Sequence, residues 1–421
     1  MTRLTRFLTG RLASVRIIML AAMLALIAVG IAAIYASGNP QQASDRNWPG
    51  YFAGTWKKQI VFASLGMLAF VVANLIDYRW LGPASYWIYA AVLVTLTILL
   101  LAKAIKIPFV PVINGTCRWI RIGIGKNFLQ FQPSEFCKIA YILALAWYLR
   151  FKKNYRQFAG LIGPFALTLL AMVLVLFEPD LGTVMLMMPI LFAMLFVAGA
   201  KVKHLMIIIL LAILVSPILW RNMNPYQQQR ISSVLLQSSW LRQKAADNPA
   251  VAKLLTGQSR FSENQWLRST GWQLKHSKYA IASGALTGYG FTKGPYLKYN
   301  SLPERHNDFI FAIIAHQWGF LGCIVLFGLY AVIIACGIEI AWLNTDPFGR
   351  LVSVGIVAMF AVEVIINISM TLGLMPITGL TLPLVSYGGS SLLVSMIAIG
   401  LLNNIGRYRP FSVAGKAFEE N

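Results

Sequence analysis

Three short polar segments place carboxylates beside long apolar runs, and these are the positions where the sequence offers chemistry. The first is residues 132–138, QPSEFCK, in which Glu135 and Lys138 are three residues apart and share one helix face. A helix start with a local ion pair explains this pattern, and so does a polar site facing the inside of a helix bundle. Charge within a bilayer costs about 2.5–3.5 kcal/mol on insertion scales, which favours a functional site. The spacing alone does not decide between the two interpretations.

The second segment is residues 178–183, EPDLGT, which joins two apolar runs. Glu178 and Asp180 flank a proline, so the segment should form a rigid corner. Asp180 precedes a run of helical character and has the residue type that caps helices. The pattern fits a capped turn and a functional acid equally well.

The third segment is residues 302–309, LPERHNDF, and it leads into another apolar run. Asp308 lies where water gives way to apolar surroundings, and desolvation there would raise its pKa above the usual value of about 3.9. A carboxylate raised in this way is a better base at neutral pH. The alternative is that Asp308 caps the following helix.

Further polar residues interrupt the later apolar runs. Glu363 lies in the middle of one run and must pair, take up a proton or face a cavity. His316 follows Asp308 by eight residues on the same predicted helix face, where a lone histidine is usually structural. Residues 376–391, PITGLTLPLVSYGGSS, should be non-helical, and irregular backbone at membrane depth requires protein or a water-filled cavity beside it. Ser386 there could offer a hydroxyl to an anion.

The elements that position these residues follow from the composition. The chain has 421 residues, of which 58% are hydrophobic and 12% charged, against about 25% charged in soluble proteins. We therefore predict an all-α polytopic membrane protein, residues 1–421 forming one transmembrane domain with a long loop at 221–305. The ten apolar runs fall at residues 17–37, 59–76, 84–102, 132–149, 160–177, 181–200, 203–220, 308–340, 351–373 and 386–406.

Charge predicts the orientation of these runs. The net charge is +22, from 36 basic and 14 acidic residues, and the most basic short loops fall on one side if there are ten spans. That side should be cytoplasmic, with both termini inside and the loop 221–305 outside. Basic residues placed between apolar runs fit anionic lipid head groups better than nucleic acid, which we do not expect as a partner. The four cysteines match neither a disulfide framework nor a zinc site.

Five motifs taken together resemble one protein family. In order and spacing, they resemble the SEDS family (shape, elongation, division, sporulation), which includes RodA and FtsW, over nearly the whole chain. Residues 276–291 and 376–379 look like RodA, whereas 381–384 look more like FtsW, and we favour the RodA-like, elongation-type interpretation. The motifs lie at residues 114–120, 132–138, 178–183, 302–312 and 376–391.

The resemblance implies a peptidoglycan glycosyltransferase that joins lipid II disaccharides into β-1,4 glycan strands at the outer face of a bacterial plasma membrane. It implies a class B penicillin-binding protein as transpeptidase partner, besides lipid II, the growing lipid-linked glycan and membrane lipids. Asp308 corresponds to the family's catalytic aspartate. We expect a lateral groove lined by the fourth, seventh and eighth spans, because lipid II cannot leave the bilayer.

The family's other functional polar positions map onto Arg118, Glu135, Lys138, Glu304 and Ser386. To these substrate-binding candidates we add Asp180, Lys275 and Lys278, the lysines as counter-charges for a leaving pyrophosphate. A divalent cation, Mg²⁺ or Mn²⁺, is the cofactor that the pyrophosphate suggests.

The chain departs from the family pattern at a few positions. Asn307 stands where the family usually has Thr, His316-Gln317 stand where it has two acids, and Glu363 stands where it has Gln. One interpretation is that Glu363 takes the place of an acid that the family carries at positions 316–317. A lipid II flippase using Glu135, Lys138 and Glu363 as a path, a division-specific FtsW-type polymerase, and an inactive scaffold stay open as alternatives.

Overall fold

Helices make up nearly all of the regular structure. The computed structural model describes residues 12–38, 54–102, 105, 107, 109–112, 117–124, 127–150, 157–223, 225–268, 270–298 and 306–407. Within it, one helix coincides with each of the ten apolar runs. They are α1 (Ala13–Gly38), α2 (Thr55–Leu75), α3 (Tyr78–Leu101), α4 (Pro133–Leu149), α5 (Ile162–Phe177), α6 (Leu181–Val197), α7 (Val202–Asn222), α14 (Ile310–Leu343), α15 (Pro347–Thr371) and α16 (Gly389–Arg407).

Length and composition make these helices membrane spans. Eight of them are long and apolar enough to cross a bilayer, while α4 and α6 have 17 residues each, which is near the lower limit for a span. The prediction of an all-α, polytopic membrane protein is confirmed. The helices differ in burial: 6% of the apolar stretch of α7 is buried, against 78% for α16. The centre of the bundle is therefore near α16, and α7 lies at its edge.

The polar segment between α7 and α14 folds as short helices, none of which is long enough to span a membrane in its described part. They are α8 (Pro225–Ser232), a 3-10 turn (Leu235–Gln237), α9 (Ser239–Asp247), α10 (Pro249–Thr256), α11 (Glu263–Leu267), α12 (Thr270–Ser283) and α13 (Pro295–Lys298). Before α4, strands β1 (Ile120–Ile124) and β2 (Asn127–Phe131) form an antiparallel hairpin with Ile120 opposite Phe131. A 3-10 turn, Phe158–Leu161, precedes α5.

Helix α14 is broken at Gly319, and the loop after α12 fills the break. Gly319 has φ 62° and ψ −159°, which frees backbone groups on both sides of it. Backbone groups of residues 285–290 bond to them in both directions, so the loop and the broken helix complete each other's hydrogen bonding. The bonds run from Tyr289 N to His316 O (3.1 Å), Gly290 N to Gln317 O (2.9 Å), Phe320 N to Ala285 O (2.9 Å) and Leu321 N to Leu286 O (3.1 Å).

Side chains next to the break hold the same loop. His316 Nδ1 lies 2.8 Å from Ser283 Oγ, and Gln317 Oε1 accepts a hydrogen bond from Thr292 N at 3.3 Å. Both His316 and Gln317 are fully buried. The structure thus gives these two departures from the family pattern a role in fixing the loop to α14.

Gly319→Ala should destabilise the protein. A side chain strains this backbone conformation by about 1–3 kcal/mol, and a Cβ would collide with Gly288 and Leu286. Gly328→Ala is the matched control on the same helix, since nothing lies near its Cβ position. We expect a lower thermal unfolding temperature in detergent for Gly319→Ala alone. Equal unfolding temperatures for the two variants would contradict the role of the break.

Candidate functional site

Asp308 lies in a turn of residues 306–309, immediately before α14. The helix begins at Ile310 with Phe309 as its N-cap residue, so the alternative that Asp308 caps this helix is wrong. Asp308 is half-buried, and its backbone carbonyl accepts a hydrogen bond of 3.0 Å from Asn367 of α15. Asn367 also donates to Leu380 O at 2.6 Å. One buried amide therefore holds the Asp308 turn against the segment that precedes α16.

That segment is non-helical from residue 372 to 388, which confirms most of the prediction. The prediction was wrong for residues 389–391, because α16 already begins at Gly389. Ser386 joins it to the Asp308 turn: its hydroxyl donates to Asn307 O at 2.7 Å and accepts from Leu382 N at 2.8 Å. Tyr387 N adds a bond of 2.9 Å to His306 O. The Ser386 hydroxyl is thus used inside the protein to position the turn, and its contact with an anion stays a prediction.

The guanidinium of Arg230 and the carboxylate of Asp308 both lie close to Gly379, on the side where a Cβ atom would project. A Cβ placed on Gly379 would lie 3.5 Å from Arg230 Nη1 and 3.6 Å from Asp308 Oδ2. Gly379 has φ 79°, a left-handed conformation that suits glycine, and Arg230 also donates to Thr378 O at 3.3 Å. Sequence reasoning missed Arg230. Its only signal was a basic residue directly after a glutamine-rich stretch, and the fold alone brings it to Asp308.

A buried ion cluster connects α4 to α15. The ammonium of Lys138 lies 2.6 Å from Glu135 Oε2 and 2.6 Å from Glu363 Oε1. All three side chains are nearly inaccessible, with exposed fractions of 2%, 7% and 3%. The predicted pair is present, and Glu363 is explained by pairing. The ammonium between two carboxylates offsets part of the cost of burying these charges.

Asp180 joins the N-termini of α4 and α6. It caps α6 through Thr183 N, at 3.3 Å, and also accepts from the Thr183 hydroxyl at 3.0 Å. Its Oδ2 accepts from Ser134 Oγ at 2.9 Å and from Gln132 Nε2 at 3.3 Å. Asp180 is therefore a cap and also a bridge to the segment that carries Glu135. Its contact with substrate stays a prediction.

Arg118 holds the corner formed by Glu178 and Pro179. Its guanidinium donates to Glu178 O at 2.5 Å and to Pro179 O at 2.7 Å. The Glu178 carboxyl itself is buried, 3% exposed, and neither oxygen has a hydrogen-bond partner. Desolvation raises the pKa of Glu178 from 4.5 to about 8; the charge of Asp180 adds to the shift and that of Arg118 opposes it. Glu178 is thus neutral over most of the physiological range.

Lys275 and Lys278 lie apart from this group. They line a pocket of about 330 Å³ among the loop helices, and Lys278 Nζ donates to Gln237 Oε1 at 3.1 Å. No contact found in the described part of the chain connects either lysine with Asp308. Glu304 lies outside the described residues, as do Asn114, Gly115 and Thr116 of the first motif.

Lys138→Met should destabilise the fold by about 3–5 kcal/mol, because it leaves two facing buried carboxylates without their cation. Glu363→Gln should cost much less, since the Lys138–Glu135 pair remains. Thermal unfolding in detergent measures both, with Lys253→Met, at an exposed loop position, as the control. Equal losses for Lys138→Met and the control would refute the cluster's structural role.

Glu178→Gln should flatten the dependence of stability on pH. Between pH 4.5 and about 8 the folded state binds more protons than the unfolded one, so wild-type stability falls as pH rises through this range. The variant stays neutral and loses this decline. Its unfolding temperature should exceed that of wild type more at about pH 8.5 than at about pH 5. Asp247→Asn, at an exposed position on α9, is the matched control, and an equal effect of Glu178→Gln at the two pH values would contradict the assignment.

Known proteins are similar to this chain over nearly its whole length. The family model described as "Cell cycle protein", FtsW/RodA/SpoVE, matches residues 16–410. The chain is 31% identical to peptidoglycan glycosyltransferase RodA of Treponema pallidum, over 92% of this chain and 96% of the relative. It is 32% identical to a probable peptidoglycan glycosyltransferase FtsW of Trichlorobacter lovleyi, over 94% of each chain.

A solved structure has a fold similar to that of this chain. A chain from a study titled "Structural coordination of polymerization and crosslinking by a peptidoglycan synthase complex" is similar with a TM-score of 0.69 and 28% identity, over 92% of this chain and 96% of that one. The helices and the family match therefore agree. The chain belongs to the FtsW/RodA/SpoVE family of cell cycle proteins.

Proposed function

We propose that this protein is a peptidoglycan glycosyltransferase that polymerises lipid II into β-1,4 glycan strands. The observation that carries the proposal is the Asp308 turn, where a half-buried carboxylate and the Arg230 guanidinium border one point at the end of the bundle. A base beside a cation is what transfer of a sugar from a pyrophosphate requires. The relatives named as glycosyltransferases support the same reaction.

In the proposed step the 4-hydroxyl of one sugar attacks the anomeric carbon of the other. The new carbon–oxygen bond forms as the bond to the pyrophosphate breaks, which inverts an α-linked donor to a β-linked product. Asp308 takes the hydroxyl proton, and a positioned base of this kind contributes roughly 10²–10⁴-fold. The pyrophosphate leaves as an anion, so cations matter more than an acid. Arg230, which lies beside the same point as Asp308, is the cation that we assign to the leaving pyrophosphate.

A divalent cation would neutralise the leaving pyrophosphate. Among the described residues no three His, Cys, Asp or Glu side chains are grouped to hold a metal ion by themselves. Mg²⁺ at phosphate sites commonly uses one or two carboxylates and takes its other ligands from water and the substrate. Asp308 is the described carboxylate that fits this pattern, and a Mg²⁺ or Mn²⁺ requirement therefore stays part of the proposal.

Substrate access fits the position of α7. This helix is exposed along almost its whole length, so a lipid tail can lie between it and the rest of the bundle. We propose that lipid II enters sideways there, between the fourth, seventh and eighth spans. The distribution of basic short loops supports an outward-facing site in the bacterial plasma membrane, with both termini inside.

A class B penicillin-binding protein is the partner that we propose, as transpeptidase for the strands. The structural relative comes from a peptidoglycan synthase complex that couples polymerisation and crosslinking, which supports a partner of this kind. Relatives named RodA and FtsW are about equally similar. We propose the elongation role from the RodA-like motifs, with division as the alternative.

Asp308→Asn should abolish polymerisation of lipid II by the purified protein, a loss of at least about 10²-fold. The assay is carried out in detergent. Reactions with Mg²⁺ or Mn²⁺ are compared with reactions that contain a chelator, and each is run with and without the transpeptidase partner. Asp247→Asn is the matched control, because Asp247 is exposed on α9. Normal strand synthesis by a folded Asp308→Asn protein would remove Asp308 as the base. Wild type that makes no strands under any condition would favour the flippase or the inactive scaffold.

A further inference from the structure

The loop between α7 and α14 carries a large positive charge. Residues 221–298 contain eleven Lys or Arg against two acids, Asp247 and Glu263. Glu263 is already paired with Arg242, whose Nε lies 2.7 Å from Glu263 Oε1. Most of the loop's positive charge therefore has no acid within the loop to balance it.

Part of this charge converges on the pocket formed by α9, α11 and α12. The pocket has a volume of about 330 Å³. Lys275 and Lys278 are three residues apart on α12, so both project from one face of that helix. Neither makes an ion pair within the described residues, and a lysine ammonium has three donors, of which Lys278 uses one on Gln237. The two ammonium groups are therefore available to an anionic ligand.

The remaining walls of the pocket combine Gln237 and Arg242 with aromatic and apolar side chains. Trp266 is 9% exposed and packs under the Arg242 guanidinium, 5.1 Å from the ring. Tyr279 is 52% exposed, with Lys275 Nζ 5.7 Å from its ring. Aromatic faces carry a negative quadrupole and pack well against the C–H faces of sugars. A ligand that is both a saccharide and an anion uses the whole pocket, whereas a bare phosphate uses only the lysines.

The pocket is attached to the same end of the bundle as Asp308. Ser277 of α12 donates to Thr371 O at 2.8 Å, and Gln237 donates to Gly373 O at 2.8 Å. These carbonyls lie at the end of α15, a few residues before Gly379 and its neighbour Asp308. None of the pocket's helices is a membrane span. A water-soluble ligand can therefore reach the pocket without crossing the hydrocarbon core of the bilayer.

We propose that this pocket binds an acidic saccharide, namely the peptide-bearing glycan strand after it has left the Asp308 site. This proposal rests on the proposed function for the identity of the strand. The lysines bind carboxylates of the peptides, and the exposed Tyr279 packs against the sugars, while the buried Trp266 forms the floor of the pocket. The two lysines thus bind the product rather than the leaving pyrophosphate for which the sequence suggested them.

Equilibrium binding of a preformed strand tests the proposal without any polymerisation. The probe is a fluorescent, uncrosslinked, peptide-bearing glycan strand from which lipid and pyrophosphate have been removed. It is titrated against the full-length Asp308→Asn protein in detergent, so that turnover plays no part. Adding Lys275→Gln and Lys278→Gln should weaken binding about tenfold or more, as expected for lost charge-assisted hydrogen bonds. Tyr279→Ala should weaken it independently.

The matched control is Lys244→Gln with Lys253→Gln, which removes two charges from the same loop outside the pocket and should leave binding nearly unchanged. Equal loss in the pocket and control variants would overturn the site. Equal binding of strands stripped of their peptides would overturn the anionic ligand. Full displacement by inorganic pyrophosphate would assign the pocket to a lipid head group instead. None of these results depends on whether the protein polymerises lipid II, so each proposal can fail alone.

Discussion

The structure depends on one constraint, that polar groups at the depth of a bilayer must find partners within the protein. Two irregular segments, residues 306–309 and 375–388, meet at one end of the bundle. Groups of the second segment donate hydrogen bonds to backbone carbonyls of the first. Ser386 donates to the carbonyl of Asn307, and Asn367 of α15 donates to the carbonyl of Asp308. These bonds hold the Asp308 turn in its position, because moving the turn would leave the carbonyls of residues 306–308 without these partners.

The buried ion cluster applies the same constraint to charge. Lys138 needs acids from two helices, so α4 and α15 are fixed in relative position near the same end. One turn earlier, the start of α4 is bonded to Asp180 of the neighbouring corner. Helices α4, α6 and α15 are therefore joined by polar contacts close to the segments that hold Asp308. These polar contacts connect the three helices, whereas α7 at the edge is exposed along most of its length.

The sequence predicted what depends on local pattern. Apolar runs of span length gave the ten helices, and spacing gave the Glu135–Lys138 pair and the Asp180 cap. It did not predict contacts between distant segments. Glu363 pairs with a lysine 225 positions away, and Arg230 of the loop lies beside the same glycine as Asp308. The break at Gly319 is completed by residues 285–290. Asp308 as a helix cap was wrong, because the helix begins after Phe309.

The most direct measurement of the central claim is the structure of the protein with two lipid II molecules bound, using a donor analogue that cannot transfer its sugar. The account predicts that the acceptor 4-hydroxyl lies within hydrogen-bonding distance, about 3 Å, of the Asp308 carboxylate. It also predicts the donor pyrophosphate next to Arg230 and the lipid tails beside α7. An acceptor hydroxyl bound at another carboxylate, with Asp308 facing no substrate, would contradict it.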